Sequence, residues 1–201
     1  MTLLNDGNIH VPLSGYLREA THQIHDDLNH TVMSRGMFTD AAGYRDFVLM
    51  QYLFHRDLDP LYNSDDLARI VPDLAARNRF QQVSADMNDL DIAIPAPGVP
   101  VGMMDPSTAI GWLYVAEGSK LGANFLTRLV EKMGFDDSFG ARHMAADPMG
   151  RGPSWTAFRK AIDHAGLDPE RCVQGVRESY ARVRTYIPAR KNNTAATVTA
   201  T

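Results

Sequence analysis

The chain has 201 residues, of which 44% are hydrophobic and 22% charged, and its formal net charge is -4. This length suits one domain with a sizeable core, while the negative charge and the scattered basic residues argue against nucleic-acid binding. The single cysteine, Cys172, excludes an intramolecular disulfide framework and thiolate metal clusters within one chain. The first residues lack a secretory signal pattern, and no stretch approaches the roughly 18 apolar residues of a membrane span. We therefore expect a cytoplasmic protein without membrane partners.

Apolar residues recur at helical spacing in six segments, whereas alternating strand patterns are scarce. The pattern predicts an all-α fold in which residues 1–190 form a single domain and the Ala/Thr-rich residues 191–201 a disordered tail. We expect Ser107 to cap the fourth helix, Gly134 to end it, and loops over residues 95–102 and 147–153. In chain order, the apolar residues of the six predicted helices span Leu17–Leu28, Phe47–Leu58, Leu74–Met87, Ile110–Leu129, Trp155–Ile162 and Val176–Ile187.

The first predicted helix carries a candidate metal ligand, His25, one turn after Thr21 and beside the apolar stripe. A neutral imidazole on such a face can bind a haem iron, provided that its other nitrogen has a hydrogen-bond partner. Arg18 precedes His25 by two turns, roughly 10 Å along the axis, which is a suitable reach for a haem propionate. A packed or solvent-edge histidine is the alternative interpretation, and His22 is a competing candidate for the ligand.

Three glycines, Gly111, Gly118 and Gly122, lie on roughly one face of the fourth predicted helix. Each interior glycine costs about 1 kcal/mol of helix stability relative to alanine, so three in one helix need a reason. Close packing of another helix is one reason. The other is a flat ligand lying directly on the backbone, where a Cβ would clash. Glycines also permit a kink that exposes backbone carbonyls to water.

Other reaction classes have less support in the sequence. Ser119 stands in EGSKLG rather than in the nucleophile elbow of a hydrolase. The glycines lack the Gly-Lys-Ser/Thr order of a P-loop, and no Glu-x-x-His motif of di-iron bundles occurs.

Five segments, in order along the chain from about Leu17 to Tyr186, resemble the bacterial branch of the haem (heme) oxygenases. LREATHQIHDDLN is similar to the proximal helix of that family, and GWLYVAEGSKLGANF to its distal helix. The other three are MQYLFHRDLDPLY (Met50–Tyr62), VPDLAARNRF (Val71–Phe80) and FGARHMAADPMGRG (Phe139–Gly152). The resemblance implies a single-domain helical fold with haem between the proximal helix and a kinked, glycine-rich distal helix.

The resemblance also implies roles for individual residues. His25 matches the axial ligand of the haem iron, which removes His22 from that role. Backbone at Gly118, Ser119 and Gly122 matches the distal segment over the haem. The remaining matched residues are side chains: propionate contacts at Arg18, Tyr180 and Arg184, and members of the distal polar and water network at Tyr114, His55 and Arg79.

One departure from the mammalian-type enzymes concerns the distal helix. Those enzymes carry an aspartate just after the first distal glycine, whereas here Ser119 follows Gly118. The resemblance therefore implies that backbone carbonyls and ordered water, supported by Arg79 and Tyr114, organise the bound oxygen.

The activity implied is oxidative cleavage of haem to biliverdin, CO and ferrous iron, with haem as both substrate and cofactor and O2 as co-substrate. Electrons would come from a ferredoxin, flavodoxin or NADPH-dependent reductase, since the chain has no nucleotide-binding fingerprint. Some bacterial relatives cleave at other edges; they lack a basic residue at the position of Arg18 and have Phe at the position of Tyr114. Because this chain has both Arg18 and Tyr114, we expect cleavage at the α-meso carbon. We also expect a monomer. Two alternatives stay open: a non-catalytic haem sensor or carrier on the same fold, and a thiaminase-like enzyme that would need a nucleophile such as Cys172.

Overall fold

A computed structural model of the chain describes residues 11–99 and 101–188, and the predicted tail at 191–201 lies outside them. Within these ranges the chain forms helices and no β-strand, so the all-α prediction is confirmed. Short 3-10 turns occupy Leu74–Arg77 and Arg142–Met144. The helices are α1 (Leu13–Ser34), α2 (Ala41–Tyr62), α3 (Asp65–Ala68), α4 (Phe80–Asp89), α5 (Pro106–Glu131), α6 (Arg151–Asp163) and α7 (Pro169–Thr185).

The start of α5 differs from the prediction by two residues. Pro106 occupies the first helical position, where its missing N–H is not needed, and Asp105 is the cap. The Asp105 carboxylate accepts hydrogen bonds from the backbone N–H of Ser107 at 3.1 Å and of Thr108 at 3.3 Å. The helix ends at Glu131, and Gly134 follows in the left-handed region with φ 85°.

The same Asp-Pro start moves the beginning of α7 to Pro169, ahead of the predicted Val176. Asp168 caps this helix through the N–H groups of Glu170 and Arg171. Cys172 therefore lies inside α7 and is fully buried. Helix α6 begins at Arg151, inside the predicted loop 147–153.

The third predicted helix is broken in two. Asn78 adopts extended backbone between the 3-10 turn and α4, and its side-chain oxygen accepts from the N–H of Phe80 at 2.9 Å. Its amide group donates to Asp59 of α2 at 2.7 Å. The break turns both Arg77 and Arg79 into the protein, where only 2% and 7% of their surfaces are exposed.

Helix α7 packs against both α5 and α1, whereas α1 and α5 contact each other only slightly. The axes of α7 and α5 approach closely because each helix has a glycine at the crossing, Gly175 on α7 and Gly111 on α5. A Cβ added at Gly111 would lie 2.2 Å from the carbonyl oxygen of Cys172, and one added at Gly175 2.1 Å from that of Thr108. α1 reaches α5 near its own start, where the Tyr114 hydroxyl donates to the carbonyl of Ser14 at 3.3 Å.

In residues 11–99 and 101–188, no helix has the length and apolar character needed to cross a bilayer.

Candidate active site

The second half of α5 presents an open, apolar face. A Cβ added at Gly122 would meet nothing within 4 Å, and one at Gly118 would meet only the ring of Trp155, at 3.8 Å. Leu121 and Phe125 lie on the same half of the helix with 43% and 64% of their surfaces exposed. Helix packing therefore explains Gly111 but not Gly118 or Gly122, which leave their backbone accessible to a flat ligand. Between Pro106 and Glu131 the chain is helical throughout.

His25 projects from α1 with 53% of its side chain exposed. Its Nδ1 lies 3.1 Å from the Asp26 carboxylate, and the Asn29 amide lies 3.1 Å from its Nε2. The ring edge meets Tyr180 of α7, with ring centroids 6.5 Å apart. Competing His22 is also exposed, and its Nδ1 lies 2.8 Å from the carbonyl oxygen of Glu19. Both histidines can reach a ligand, but only His25 has a carboxylate partner and an aromatic neighbour on α7.

Tyr114 of α5 and Tyr180 of α7 are both buried, and Tyr180 lies beside His25. The Tyr114 ring packs against Trp155 at a centroid distance of 5.2 Å, and burial raises the pKa of its hydroxyl. Positive charge on Arg159 and Arg18 opposes that rise. Arg18 follows Ser14, whose carbonyl accepts from the Tyr114 hydroxyl, by one turn of α1. Burial also raises the pKa of Tyr180, with a contribution from Tyr114. Both phenols are therefore neutral hydrogen-bond donors at neutral pH.

Arg184 follows Tyr180 by one turn of α7, and its side chain is exposed. Ser119 is exposed as well, and its hydroxyl donates to the carbonyl of Ala116 in the preceding turn at 2.7 Å. Because the hydroxyl proton is used within the helix, the backbone of Ser119, rather than its hydroxyl, is the part that we expect to contact a ligand.

His55 and Arg79 are both buried. Arg79 donates to the carboxylate of Asp147 and to the carbonyl of Ala145 at 3.4 Å. Burial holds the pKa of His55 well below its ordinary value, and positive charge on Lys120 and Arg79 lowers it further. His55 is thus a neutral imidazole in a region of positive potential.

Sequence reasoning missed the pairing of His143 with Asp86. The His143 Nδ1 lies 2.7 Å from the Asp86 carboxylate, which also accepts from the backbone N–H of His143 at 2.9 Å. Among the described residues, Nδ1 of His55, Nε of Arg79 and Nε2 of His143 are buried without a protein hydrogen-bond partner. Ordered water commonly satisfies such atoms. No local pattern marks His143, which lies in a segment without regular periodicity.

A second missed group is the carboxylate of Glu117, only 2% exposed, which accepts hydrogen bonds from Tyr62, Arg77 and Lys120. One signal in the sequence could have found it, because Glu117 interrupts a run of small and apolar residues in α5. A charge at such a position is buried only with partners.

Two surface cavities, of about 460 and 500 Å³, lie elsewhere. One borders Arg45 and Phe139, and the other borders Tyr16 and Leu167. None of the predicted site residues lines either of them.

Comparison with known proteins assigns the chain to a family. The family model described as Heme oxygenase matches residues 11–187. Heme oxygenase PigA of Pseudomonas aeruginosa is 40% identical over 152 residues, which cover 75% of this chain and 77% of that protein. The crystal structures of NO- and CO-bound heme oxygenase from Neisseria meningitidis match with a TM-score of 0.83 and 33% identity, covering 88% of this chain and 90% of theirs.

The fold is thus all-helical, with an exposed histidine on α1 and an uncovered glycine face on α5. The chain belongs to the heme oxygenase family, and it is an enzyme that degrades haem with O2. The resemblance found in the sequence is confirmed at the level of family, fold and reaction class.

Proposed function

We propose that this enzyme cleaves haem at the α-meso carbon to biliverdin, CO and ferrous iron, with electrons from an external protein donor. The observation that carries the proposal is the combination of an exposed histidine on α1 and an uncovered glycine face on α5. Tyr180 touches His25, while Tyr114 precedes Gly118 by one turn, so the two tyrosines connect the two faces. Bound haem supplies the iron at which oxygen is activated and the ring edge that is cleaved.

His25 is the proposed axial ligand. The Asp26 carboxylate beside its Nδ1 favours the tautomer whose Nε2 lone pair is free for iron, and a carboxylate partner strengthens the imidazole as a ligand. The exposed Asn29 amide, now 3.1 Å from Nε2, would turn aside on binding. On the opposite face, Gly118, Ser119 and Gly122 let the porphyrin approach backbone carbonyls.

The haem orientation follows from three proposed propionate contacts, Arg18, Tyr180 and Arg184. The surroundings that Arg18 shares with Tyr114 support a common role for the two in setting which ring edge faces the oxygen. We propose that these contacts direct cleavage to the α edge, because in-plane rotation of the haem decides the edge.

Proton delivery is the proposed task of the distal polar group. Arg79, fixed by Asp147, and neutral His55 would hold ordered water on the distal side, together with Tyr114. Asp86 keeps the proton of His143 on Nδ1, so its Nε2 would accept a hydrogen bond from the same water. These side chains would hold the water through which a proton reaches the oxygen, and they would not themselves bond to the haem or the oxygen.

The remaining parts of the proposal concern context. We propose that the catalytic domain spans residues 1–190, works as a monomer in the cytoplasm, and receives electrons from a ferredoxin, flavodoxin or NADPH-dependent reductase.

The decisive experiment mixes purified protein with one equivalent of haem, a chemical or enzymatic reductant, and air. We expect the Soret band to bleach while a biliverdin band grows and ferrous iron is released to a chelator. A stable Soret band under reductant and air would support a sensor or carrier and overturn the proposed activity for this chain.

A further inference from the structure

Four buried side chains behind the distal half of α5 form a polar cluster for which the proposed chemistry has no use. The Glu117 carboxylate accepts from the Tyr62 hydroxyl at 2.8 Å, from Arg77 at 2.9 Å and from the Lys120 ammonium at 2.7 Å. Tyr62, Arg77, Glu117 and Lys120 are each at most 9% exposed, and they are named here the Glu117 cluster. Its hydrogen bonds join side chains from three different elements.

The Glu117 cluster ties α5 to the elements around it. Tyr62 is the last residue of α2, and Arg77 is the last residue of the 3-10 turn. Lys120 also donates to the Arg77 carbonyl at 2.7 Å, and Arg77 donates to the Ser154 hydroxyl of α6 at 3.1 Å. The cluster thus fixes one segment of α5 relative to α2, the turn and α6 at once.

The part of α5 that the cluster fixes is the segment Gly118–Gly122. Glu117 and Lys120 directly flank Gly118 and Ser119. At 100° per residue, Lys120 lies about 200° around the helix from Gly118, on nearly the opposite side. Arg151 of α6 adds a backbone anchor, donating to the carbonyl of Lys120 at 3.0 Å. The face that admits a ligand is held from behind by charged hydrogen bonds.

A polar cluster is a costly way to fill a protein interior. Burial lowers the pKa of Lys120, and the negative charge of Glu117, its hydrogen bond to the ammonium and the charge of Asp147 offset that effect only in part. Well-packed apolar side chains often stabilise a fold as well or better than buried ions do. Charged hydrogen bonds instead fix the relative position of the elements that they join, because they depend on distance and angle more strongly than apolar contacts do.

We propose that the Glu117 cluster is a positioning device that sets the distance and register of the Gly118–Gly122 segment over the haem face, and thereby the orientation of bound oxygen. The inference rests on the proposed function, since it assumes that haem lies against this segment. Its residues touch neither haem nor oxygen; they act through the backbone of α5.

The test compares Glu117→Gln and Tyr62→Phe with Tyr44→Phe. Tyr44 is a matched control, because it is a fully buried tyrosine of the same helix whose hydroxyl donates to the Gly140 carbonyl at 2.9 Å, away from α5. Each protein is loaded with haem and examined for its Soret spectrum, for the C–O stretching frequency of the ferrous CO complex, and for the biliverdin isomer ratio.

We expect all variants to bind haem with the histidine-ligated spectrum. Glu117→Gln should shift the C–O stretch, change the isomer ratio and lower turnover about tenfold or more, since small misplacements of a reacting group have effects of this size. Tyr62→Phe should change the same quantities in the same direction but less. If Glu117→Gln does not fold, Tyr62→Phe decides, because it keeps the three charged side chains of the cluster and the aromatic ring.

Two results would overturn the positioning role: a C–O stretch and isomer ratio in Tyr62→Phe and Glu117→Gln that equal those of the wild type, or equal changes in Tyr44→Phe. Either leaves the proposed function intact if wild-type protein degrades haem. Failure of the wild type to bind or degrade haem would instead overturn the proposed function, and the positioning role with it.

Discussion

At the scale of single residues, His25 and His22 differ in their neighbours rather than in their exposure. Both project from α1 into solvent, yet only His25 has a carboxylate at its Nδ1 and the Tyr180 ring beside it. The Nδ1 of His22 lies near a backbone carbonyl of its own helix, Glu19. A metal-ligating histidine ordinarily has its second nitrogen hydrogen-bonded to a carboxylate or a carbonyl, so both histidines meet that condition, and the contact with the Tyr180 ring distinguishes His25.

Replacing these two histidines separates the candidates. We expect His25→Ala to retain part of the haem-binding capacity, through the remaining pocket contacts, but to lose the histidine-ligated spectrum and the activity. His22→Ala should behave as the wild type, because His25 and not His22 is the proposed axial ligand. Absorption spectra of the haem complexes and turnover assays check both; an unchanged Soret band and turnover in His25→Ala would show that the ligand lies elsewhere.

Burial of neutral His55 has a consequence for stability. In the unfolded chain this histidine binds a proton near its ordinary pKa of about 6.5, whereas in the folded protein burial keeps its pKa well below that value. Below about pH 6.5 the unfolded state therefore binds more protons than the folded state, and folding stability falls as the pH falls. Above that pH the group contributes no pH dependence.

We expect the His55→Gln variant to lose less stability on acidification than the wild type. The difference amounts to at most about 1.4 kcal/mol per pH unit below about pH 6.5, the slope for one proton. Urea unfolding of the haem-free proteins at about pH 7.5 and about pH 5.5 measures it. His164→Gln, at an exposed histidine, serves as the control and should follow the wild type; identical pH dependence in His55→Gln and the wild type would contradict the burial argument.

At the scale of elements, α5 contains two kinds of glycine. Gly111 is required by packing, because a Cβ there would lie 2.2 Å from the Cys172 carbonyl oxygen of α7. Gly122 has open space where its Cβ would be. In the absence of a ligand the second glycine only weakens the helix, so its presence needs a reason that the haem-free fold does not supply.

The two alanine variants should have opposite effects on stability. Gly122→Ala should raise the free energy of unfolding of the haem-free protein by about 0.4–1 kcal/mol, through the lower entropy of its unfolded chain, yet weaken haem binding. Gly111→Ala should lower that free energy by about 1–3 kcal/mol, as overpacking does. Denaturant unfolding and haem titration measure the two effects. Wild-type haem affinity in Gly122→Ala would mean that haem does not contact this face.

At the scale of the whole molecule, the proposed haem contacts lie on α1, α5 and α7, and α7 packs against both of the other helices. It packs on α5 through Gly111 and Gly175 and on α1 beside His25. The proposed propionate contacts come from two of these helices, α1 and α7, while the glycine face comes from the third. We therefore expect the rotation of haem in its plane to depend on the relative placement of all three helices.

This arrangement makes the biliverdin isomer a measure of the global geometry. We expect the wild type to give the α isomer, and Arg18→Ala to give a mixture with other isomers, because loss of a propionate contact allows the haem to rotate. Arg69→Ala, at an exposed arginine paired with Asp66, is the control and should give α product. Chromatography against isomer standards decides the matter, and mainly β or δ product from the wild type would refute the α assignment.

Several features of the fold and of the candidate site were predictable from the sequence. Helical periodicity located the cores of α1, α2, α5 and α6, because the spacing of apolar residues reflects the helix itself. Local cues to the helix ends were less reliable: Ser107 and Val176 were wrong starts, since an Asp-Pro pair placed each cap further upstream. The glycine segment was found because its glycines stand out within a helix, whereas His25 was preferred to His22 only through the resemblance of its segment to the family.

The sequence by itself determined the all-α class, the helix that bears the histidine and the helix that bears the glycines. Only the tertiary structure decided that Gly111 serves packing while Gly118 and Gly122 stay open, and that Asp86 is the partner of His143. It also decided that the chain breaks at Asn78, turning Arg77 toward Glu117 and Arg79 toward Asp147. The reason is physical: periodicity depends on neighbours within a few residues, whereas these pairings join groups from 40 to 68 residues apart, and only folding brings them together.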